Sequence, residues 1–288
     1  MNIPCFCTAV WNMIKQYNVL IKYQKYHIYL IKILSRFNME LIHGDCLEKM
    51  KTIPDKDIDM ILCDLPYNMT SCSWDVLIPF DLLWKEYNRI CKGNIILFSS
   101  QPFTTDLINS NREMFKYCLV WNKNVPTGMS SAKYRPMKYH EDICVFYKGK
   151  QTYNPIMKPR EGIGKACYNY DHYCGDSNHV KYDKIKKKYD PNFVQPSSVL
   201  NFNVVPNRNG KLHPTQKPVD LCEYLILTYS NEDETVLDNC MGSGSTGVAC
   251  FNTKRDFIGI EKDDKYFEIA KNRIMEQYKL NKIDKDET

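Results

Sequence analysis

Four short runs in this 288-residue chain carry side chains that could do chemistry together. The first is Asp64-Leu65-Pro66-Tyr67, directly after the apolar run 58–63. A carboxylate beside a backbone carbonyl can accept both N–H bonds of one amine. The exocyclic amine of a nucleobase is a poor nucleophile, because its lone pair delocalises into the ring. Two acceptors would favour the tetrahedral, reactive form of that nitrogen. An adjacent Tyr ring can stack on a base taken out of its helix, and Pro66 stiffens the loop that carries these groups. A turn with a capping Asp and a core Tyr would use the same four residues, so the run does not decide by itself.

The second run is Asp238 followed by Gly242-Ser243-Gly244-Ser245-Thr246-Gly247. A strand, an acid, a glycine loop and a helix are the layout of a nucleotide crevice, where glycine lets the backbone approach a ligand. Glu261 ends the next predicted strand, twenty-three residues on, where a ribose-binding acid would sit. There is no G-x-x-x-x-G-K-[ST], so triphosphate chemistry lacks its lysine. The third run, His213-Pro214-Thr215-Gln216-Lys217-Pro218, brings hydroxyl, amide and ammonium to the start of a predicted helix, which suits a carboxylate. The fourth is His43-Gly44-Asp45-Cys46, whose Asp45 can accept from an adenine amine or cap the following helix.

Elements must hold these runs in one place. Short apolar runs at 58–63, 94–99, 117–121 and 142–147 read as buried strands, with helix-length segments at 80–91 and 102–112. After an irregular stretch the rhythm resumes. A helix is predicted from Pro218 to Ser230, strands at 235–238 and 256–261, and a closing helix over 264–279. Strands alternating with helices predict an α/β fold on a parallel sheet.

The irregular stretch covers 150–212. From Lys148 to Lys217 there are eleven Lys and two Arg against four Asp and one Glu, a net +8 in a chain whose total is +5. The positive charge is therefore localised there. Lys181, Lys184, Lys186, Lys187 and Lys188, interleaved with Tyr182 and Tyr189, are the candidate phosphate contacts. A solvated lysine loop has the same composition. Arg135 and Lys138 are further candidates.

At 43% hydrophobic and 25% charged, the composition excludes a disordered chain or a membrane channel, and no apolar window is long enough for a span. Residues 1–38 do not resemble the rest: lysines at 22, 25 and 32 interrupt an apolar stretch, and no cleavage-site pattern follows it. We expect an extension outside the core fold. The thirteen cysteines are odd in number and contain no C-x-x-C pair, so neither a disulfide framework nor a metal site is expected. Reduced, mostly buried thiols fit better.

Taken in order, the runs are Gly-Asp, Asp-Leu-Pro-Tyr, a basic insert, His-Pro-Thr-Gln-Lys-Pro, Asp-x-x-x-Gly-Ser-Gly-Ser-Thr and Gly-Ile-Glu. Over about 39–279 the chain resembles the amino-methylating DNA methyltransferases of the permuted β group. The resemblance implies a Rossmann-like, mostly parallel sheet with helices on both faces and an inserted target-recognition region. It divides the chain into an extension (1–38), a catalytic half (39–149), the insert (150–212) and a cofactor-binding half (213–288). It implies S-adenosylmethionine as donor and a base amine in double-stranded DNA as acceptor. Asp64 and the Leu65 carbonyl would bind that amine, with Pro66 and Tyr67 completing the catalytic loop. Asp45, Asp64, Asp238, Gly242, Ser243, Gly244, Thr246 and Glu261 would line the cofactor pocket, and Thr215 and Lys217 would hold the methionine end. A bacterial or phage enzyme of this kind works in the cytoplasm at the nucleoid, and a eukaryotic one in the nucleus. A homodimer and an accompanying restriction endonuclease are features of the group that these residues do not specify.

Two departures stand out. Leu65 occupies a position where the group commonly has Pro, and Asn239-Cys240 follow the loop Asp where Pro-Phe is frequent. Asp at the head of the tetrapeptide favours adenine N6, because cytosine-N4 enzymes usually carry Ser there. Cytosine N4, RNA or a protein amide on the same scaffold are alternatives within the chemistry. A catalytically silent nucleic-acid-binding protein is the alternative outside it. A nicotinamide dehydrogenase would leave Asp-Leu-Pro-Tyr and His-Pro-Thr-Gln-Lys-Pro without a role. The only Pro-Cys is Pro4-Cys5, so no cysteine stands where a cytosine-C5 nucleophile would.

Overall fold

A computed structural model describes residues 38–68, 75–149, 151–160, 192–206, 212 and 216–286, with side chains as far as 277. Thr215, the lysines from 181 to 188 and residues 1–37 of the extension lie outside the described residues.

Eight strands form the main sheet: β1 (Met39–His43), β2 (Ile58–Cys63), β3 (Cys91–Ser99), β4 (Phe115–Thr127), β5 (Lys138–Phe146), β8 (Val199–Asn201), β9 (Thr235–Asp238) and β10 (Asp256–Glu261). Their order is β1-β10-β9-β2-β3-β5-β4-β8. A separate two-stranded ribbon pairs β6 (Lys158–Pro159) with β7 (Phe193–Val194). The helices are α1 (Cys46–Met50), α2 (Phe80–Ile90), α3 (Phe103–Ser110), α4 (Val219–Tyr229), α5 (Ser245–Thr253) and α6 (Asp264–Asp286).

The strands β1, β10, β9, β2 and β3 run parallel to their neighbours. β5 then runs antiparallel to both β3 and β4, and β8 returns parallel to β4. The sheet is thus mostly parallel, as expected, with one reversed strand that the apolar runs could not reveal. Within the basic stretch 150–212, Val199–Asn201 rejoins the main sheet against Val120–Asn122.

Both faces of the sheet are covered, which is why its strands read as unbroken apolar runs. Alternate residues of β2 go to opposite sides. Met60 and Leu62 pack with Leu221 and Leu225 of α4, Val248 of α5 and Ile274 of α6. Ile61 and Cys63 pack with Met50 of α1, Leu83 and Tyr87 of α2 and Leu107 of α3. In α2 the buried positions Leu83, Trp84, Tyr87 and Ile90 recur at three- and four-residue spacing, the period of one helix face. Burying each such side chain contributes about 1.5–3 kcal/mol. Among the described residues no helix is long and apolar enough to cross a membrane.

Candidate active site

Parallel strands in register bring their carboxyl ends to one edge. His43 pairs with Glu261, Gly259 with Asp238, and Ile61 with Leu237. The loops after β1, β2, β9 and β10 therefore open on a common cleft. Its volume is about 1280 Å³, and Asp45, Asp64, Tyr67, Lys217, Asp238 and Glu261 all line it. Ordinary small-molecule pockets span roughly 300–1000 Å³, so this cleft has room for more than one ligand.

On the β9–β10 side the acids are held by the two adjoining loops and the first turn of α5. Asp238 accepts from the Cys240 amide at 3.1 Å and from the Thr246 hydroxyl at 2.6 Å. Burial pushes the Asp238 carboxyl up to about 7 against those two bonds. Glu261 accepts the amides of Gly242 and Asp263, each at 2.8 Å, one on each oxygen. Each oxygen keeps a second lone pair, so the carboxylate is oriented without being used up. Gly244 has φ 77°, and a Cβ there would lie 3.0 Å from that of Ala270 in α6, so this loop position needs glycine. Arg273 of α6 donates to the Ser243 carbonyl and the Ser245 hydroxyl, both at 3.0 Å. Asp45 caps α1, its Oδ1 accepting from Leu47 at 3.0 Å, while its Oδ2 meets Lys262 at 3.2 Å. Both open readings of Asp45 thus keep a basis, since the capping side chain also faces the cleft.

On the β2 side the acid is held by one neighbour in its own loop and one distant residue. Tyr67 donates its hydroxyl to Asp64 Oδ1 at 2.7 Å. The Tyr67 ring stacks on Phe103 with centroids 4.7 Å apart. Lys217, 153 residues away in sequence, donates to Asp64 Oδ2. The Lys217 ammonium also sits 5.1 Å from the centre of the Phe98 ring and 3.6 Å from Glu141 Oε2. Glu141 Oε1 in turn accepts from Lys123 at 2.7 Å. Burial raises the Asp64 carboxyl above the ordinary aspartate range, although Lys217 opposes it. Burial also opposes the charge on Glu141, but Lys217 and Lys123 outweigh it and hold that carboxyl low. Burial opposes the Lys217 charge likewise, and Asp64 and Glu141 outweigh it. Burial, then the Asp64 charge, keeps the Tyr67 hydroxyl protonated far above its usual range.

Glu141, Lys123 and Arg273 were not singled out as site residues from sequence. Glu141 reaches the cleft because β5 is reversed, and Lys123 because β4 lies beside it: Ser99 at the end of β3 pairs with Asp142 in the middle of β5, and Trp121 of β4 pairs with Glu141. Lys123 carried a readable signal, since it shares a strand face with the apolar Trp121 two residues earlier. Lys138 donates to Ser100, which ties that candidate phosphate contact to the end of β3.

The departures noted in the sequence have structural counterparts. Leu65 is 4% exposed and sits in the core beneath the loop, so apolar anchoring stands where proline would stiffen. Asn239 is buried, and its Oδ1 accepts the Tyr87 hydroxyl at 2.6 Å, fastening the loop to α2. The described cysteines are free thiols, buried or half-buried. Burial pushes Cys63 up to about 12, which leaves no thiolate at neutral pH.

An acidic glycine loop and a carboxylate–tyrosine loop at one edge of a mostly parallel, doubly covered sheet define a Rossmann-like methyltransferase architecture. The DNA methylase family model matches residues 58–272. The DNA adenine methyltransferase YhdJ of Escherichia coli (strain K12) is 28% identical over 263 residues, covering 83% of this chain and 85% of that protein. The crystal structure of the M1.HpyAVI–SAM complex aligns with a TM-score of 0.54 at 25% identity, over 82% of this chain and 98% of that one. The cytosine-N4-specific PvuII DNA methyltransferase aligns with a TM-score of 0.55 at 16% identity, over 84% of this chain and 92% of that one, a likeness of fold. The chain belongs to the DNA methylase family.

Proposed function

We propose that this protein methylates adenine N6 in double-stranded DNA by direct transfer to a base flipped into the cleft. The observation that carries the reading is Asp64, half-buried at the end of β2, bonded by Tyr67 and lining the same cleft as Asp238 and Glu261. Asp at this position, and the adenine specificity in the name of the 28% identical YhdJ, support adenine over cytosine.

The lining fits a nucleoside-bearing cofactor. Glu261 is held by two amides with lone pairs to spare for hydroxyls, Gly244 leaves its loop without a side chain, and the volume allows a base beside the cofactor. Asp45, Asp238, Gly242, Ser243, Gly244, Thr246 and Glu261 would hold or shape the nucleoside end, and Lys217 with Thr215 the carboxylate end. S-adenosylmethionine, when bound, supplies a methyl group activated on a sulfonium. Asp64 and the Leu65 carbonyl accept the amine hydrogens and turn its lone pair outward. Tyr67 offers its ring to the base and its hydroxyl to Asp64. Asp64 has the higher proton affinity of the two half-buried carboxylates, because desolvation raises it while Lys217 and Lys123 hold Glu141 low, and it would take the proton that the methylated amine releases.

The test is transfer from methyl-labelled S-adenosylmethionine to mixed genomic DNA, followed by digestion to nucleosides. Label in N6-methyldeoxyadenosine is expected. Label in N4-methyldeoxycytidine would keep the mechanism and overturn the base. Cofactor binding with no label in DNA would turn the reading toward RNA or a silent binder.

A further inference from the structure

The four charged groups at the β2 side contain an imbalance of partners. Asp64 has both oxygens engaged, Oδ1 by Tyr67 and Oδ2 by Lys217. Glu141 has only one engaged: Oε1 takes Lys123, while Oε2 is shielded from solvent and accepts no hydrogen bond. The Lys217 ammonium stands 3.6 Å from that oxygen, beyond hydrogen-bond reach by a few tenths of an ångström. A buried carboxylate oxygen without a donor is costly, and a small swing of one lysine would satisfy it. The same swing would uncover Asp64 Oδ2.

We propose that Glu141 is a positioning residue that receives the Lys217 ammonium when Asp64 engages the target amine. The inference rests on the reading of Asp64 given above. Lys217 has three N–H donors, so it can change protein carboxylates and still hold a ligand carboxylate. Lys123 keeps Glu141 anionic and fixed, with its ammonium 5.4 Å from the centre of the Trp121 ring. Two carboxylates and two ammoniums balance in either arrangement, so the exchange moves no net charge into or out of the buried site. Without Glu141, freeing Asp64 would strip Lys217 of its protein anion in a site where burial already opposes its charge.

The experiment compares Glu141→Gln, Glu141→Asp and Asp64→Asn in the full chain. It reads S-adenosylmethionine Kd, DNA Kd and the single-turnover rate of methyl transfer. Glu141→Gln removes the second anion at constant size. It should slow transfer about 10- to 100-fold, the range for a charged hydrogen bond, with both Kd values within about threefold. Glu141→Asp, which keeps the charge, should recover part of that loss. A Glu141→Gln rate within threefold of wild type, with Asp64→Asn inactive, overturns the role of Glu141 alone. An active Asp64→Asn overturns the underlying reading instead. A loss that follows Tm, or that falls equally on cofactor binding, makes Glu141 structural and overturns the proposal. Should Glu141→Gln not fold, Glu141→Asp decides: slowed transfer at unchanged Kd supports the exchange, and a wild-type rate overturns it.

Discussion

The two acidic sites of the cleft are built by opposite means. Asp238 and Glu261 are fixed by the adjoining loops after β9 and β10 and by the first turn of α5, at sequence separations of 2 and 8 for one and 19 and 2 for the other. Asp64 has one local bond, from Tyr67, and its other oxygen is held across 153 residues by an ammonium that a second carboxylate flanks. Amides in a tight loop cannot leave, so the first site is formed before any ligand arrives. A lysine side chain can leave, so the second site can change partners. A cleft that must bind a cofactor and admit a base pulled from a duplex needs both kinds of wiring: one invariant, one reversible.

The sharpest way to break this comparison is to remove the reversible side. Asp64→Ala takes away the proposed acceptor for the amine and the anion for Lys217. Methyl transfer should fall about 10³-fold, the scale for deleting a preorganised polar group at a reacting centre. S-adenosylmethionine Kd, set mainly by the opposite side, should rise less than about tenfold. Equilibrium binding and single-turnover assays separate the two. Equal losses in both would mean that the cleft is one electrostatic unit.

The invariant side should announce itself through pH. The Asp238 carboxyl is pushed up to about 7 by burial, while an unfolded aspartate titrates near 3.9. Between those values the unfolded chain has released a proton that the folded chain keeps. Wild-type stability is therefore full at low pH for this group and falls as pH rises through the window, by up to about 1.4 kcal/mol per unit. Asp238→Asn removes that slope. Urea unfolding between pH 4 and 7 should show the variant gaining on wild type as pH increases. A difference that stays flat would mean that Asp238 is ionised throughout, and that its two hydrogen bonds outweigh burial.

How much of this was legible in sequence follows from what each group depends on. The loop acids could be read because a strand end, a glycine loop and a helix start are local, and local order carried Asp238, Gly244 and Glu261 to one place. Asp64 could be placed at a strand's carboxyl end for the same reason. Its partners could not. Glu141 arrives on β5, whose direction depends on pairing with β3 and β4, and Lys123 arrives on the neighbouring β4; apolar run length carries no direction. Arg273 lies on a helix face that becomes relevant only once α6 packs over the glycine loop. Leu65 read only as a departure from the group's proline, whereas the burial that anchors it is a tertiary fact.

A third region, the basic stretch, should respond differently from both acidic sites. Replacing Lys186, Lys187 and Lys188 by Gln removes three positive charges and changes none of the described cleft residues. DNA binding should weaken about tenfold or more at fixed salt. The slope of log K against log salt should lose up to about 0.9 for each phosphate contact removed. S-adenosylmethionine Kd should not change. An unaltered salt slope would remove these lysines from the interface and leave DNA attraction to other parts of the insert.

The smallest effect expected is also the finest test of the contrast. Arg273 holds the loop before α5 from outside, through the Ser243 carbonyl and the Ser245 hydroxyl. Its guanidinium does not line the cleft, and burial lowers its proton affinity below the usual arginine range. Arg273→Met keeps the length and apolar stem of the side chain while removing both bonds. The loop retains its glycine conformation and the Glu261–Gly242 bond, so it should loosen rather than collapse. S-adenosylmethionine Kd should rise about three- to tenfold, the loss of one charged hydrogen bond partly offset by water. At saturating cofactor the methyl-transfer rate should stay within about twofold of wild type, because Asp64 and Lys217 draw on different elements. A fall in that saturated rate would mean that loop position and base position are coupled, and the two sides of the cleft would then be one machine rather than two.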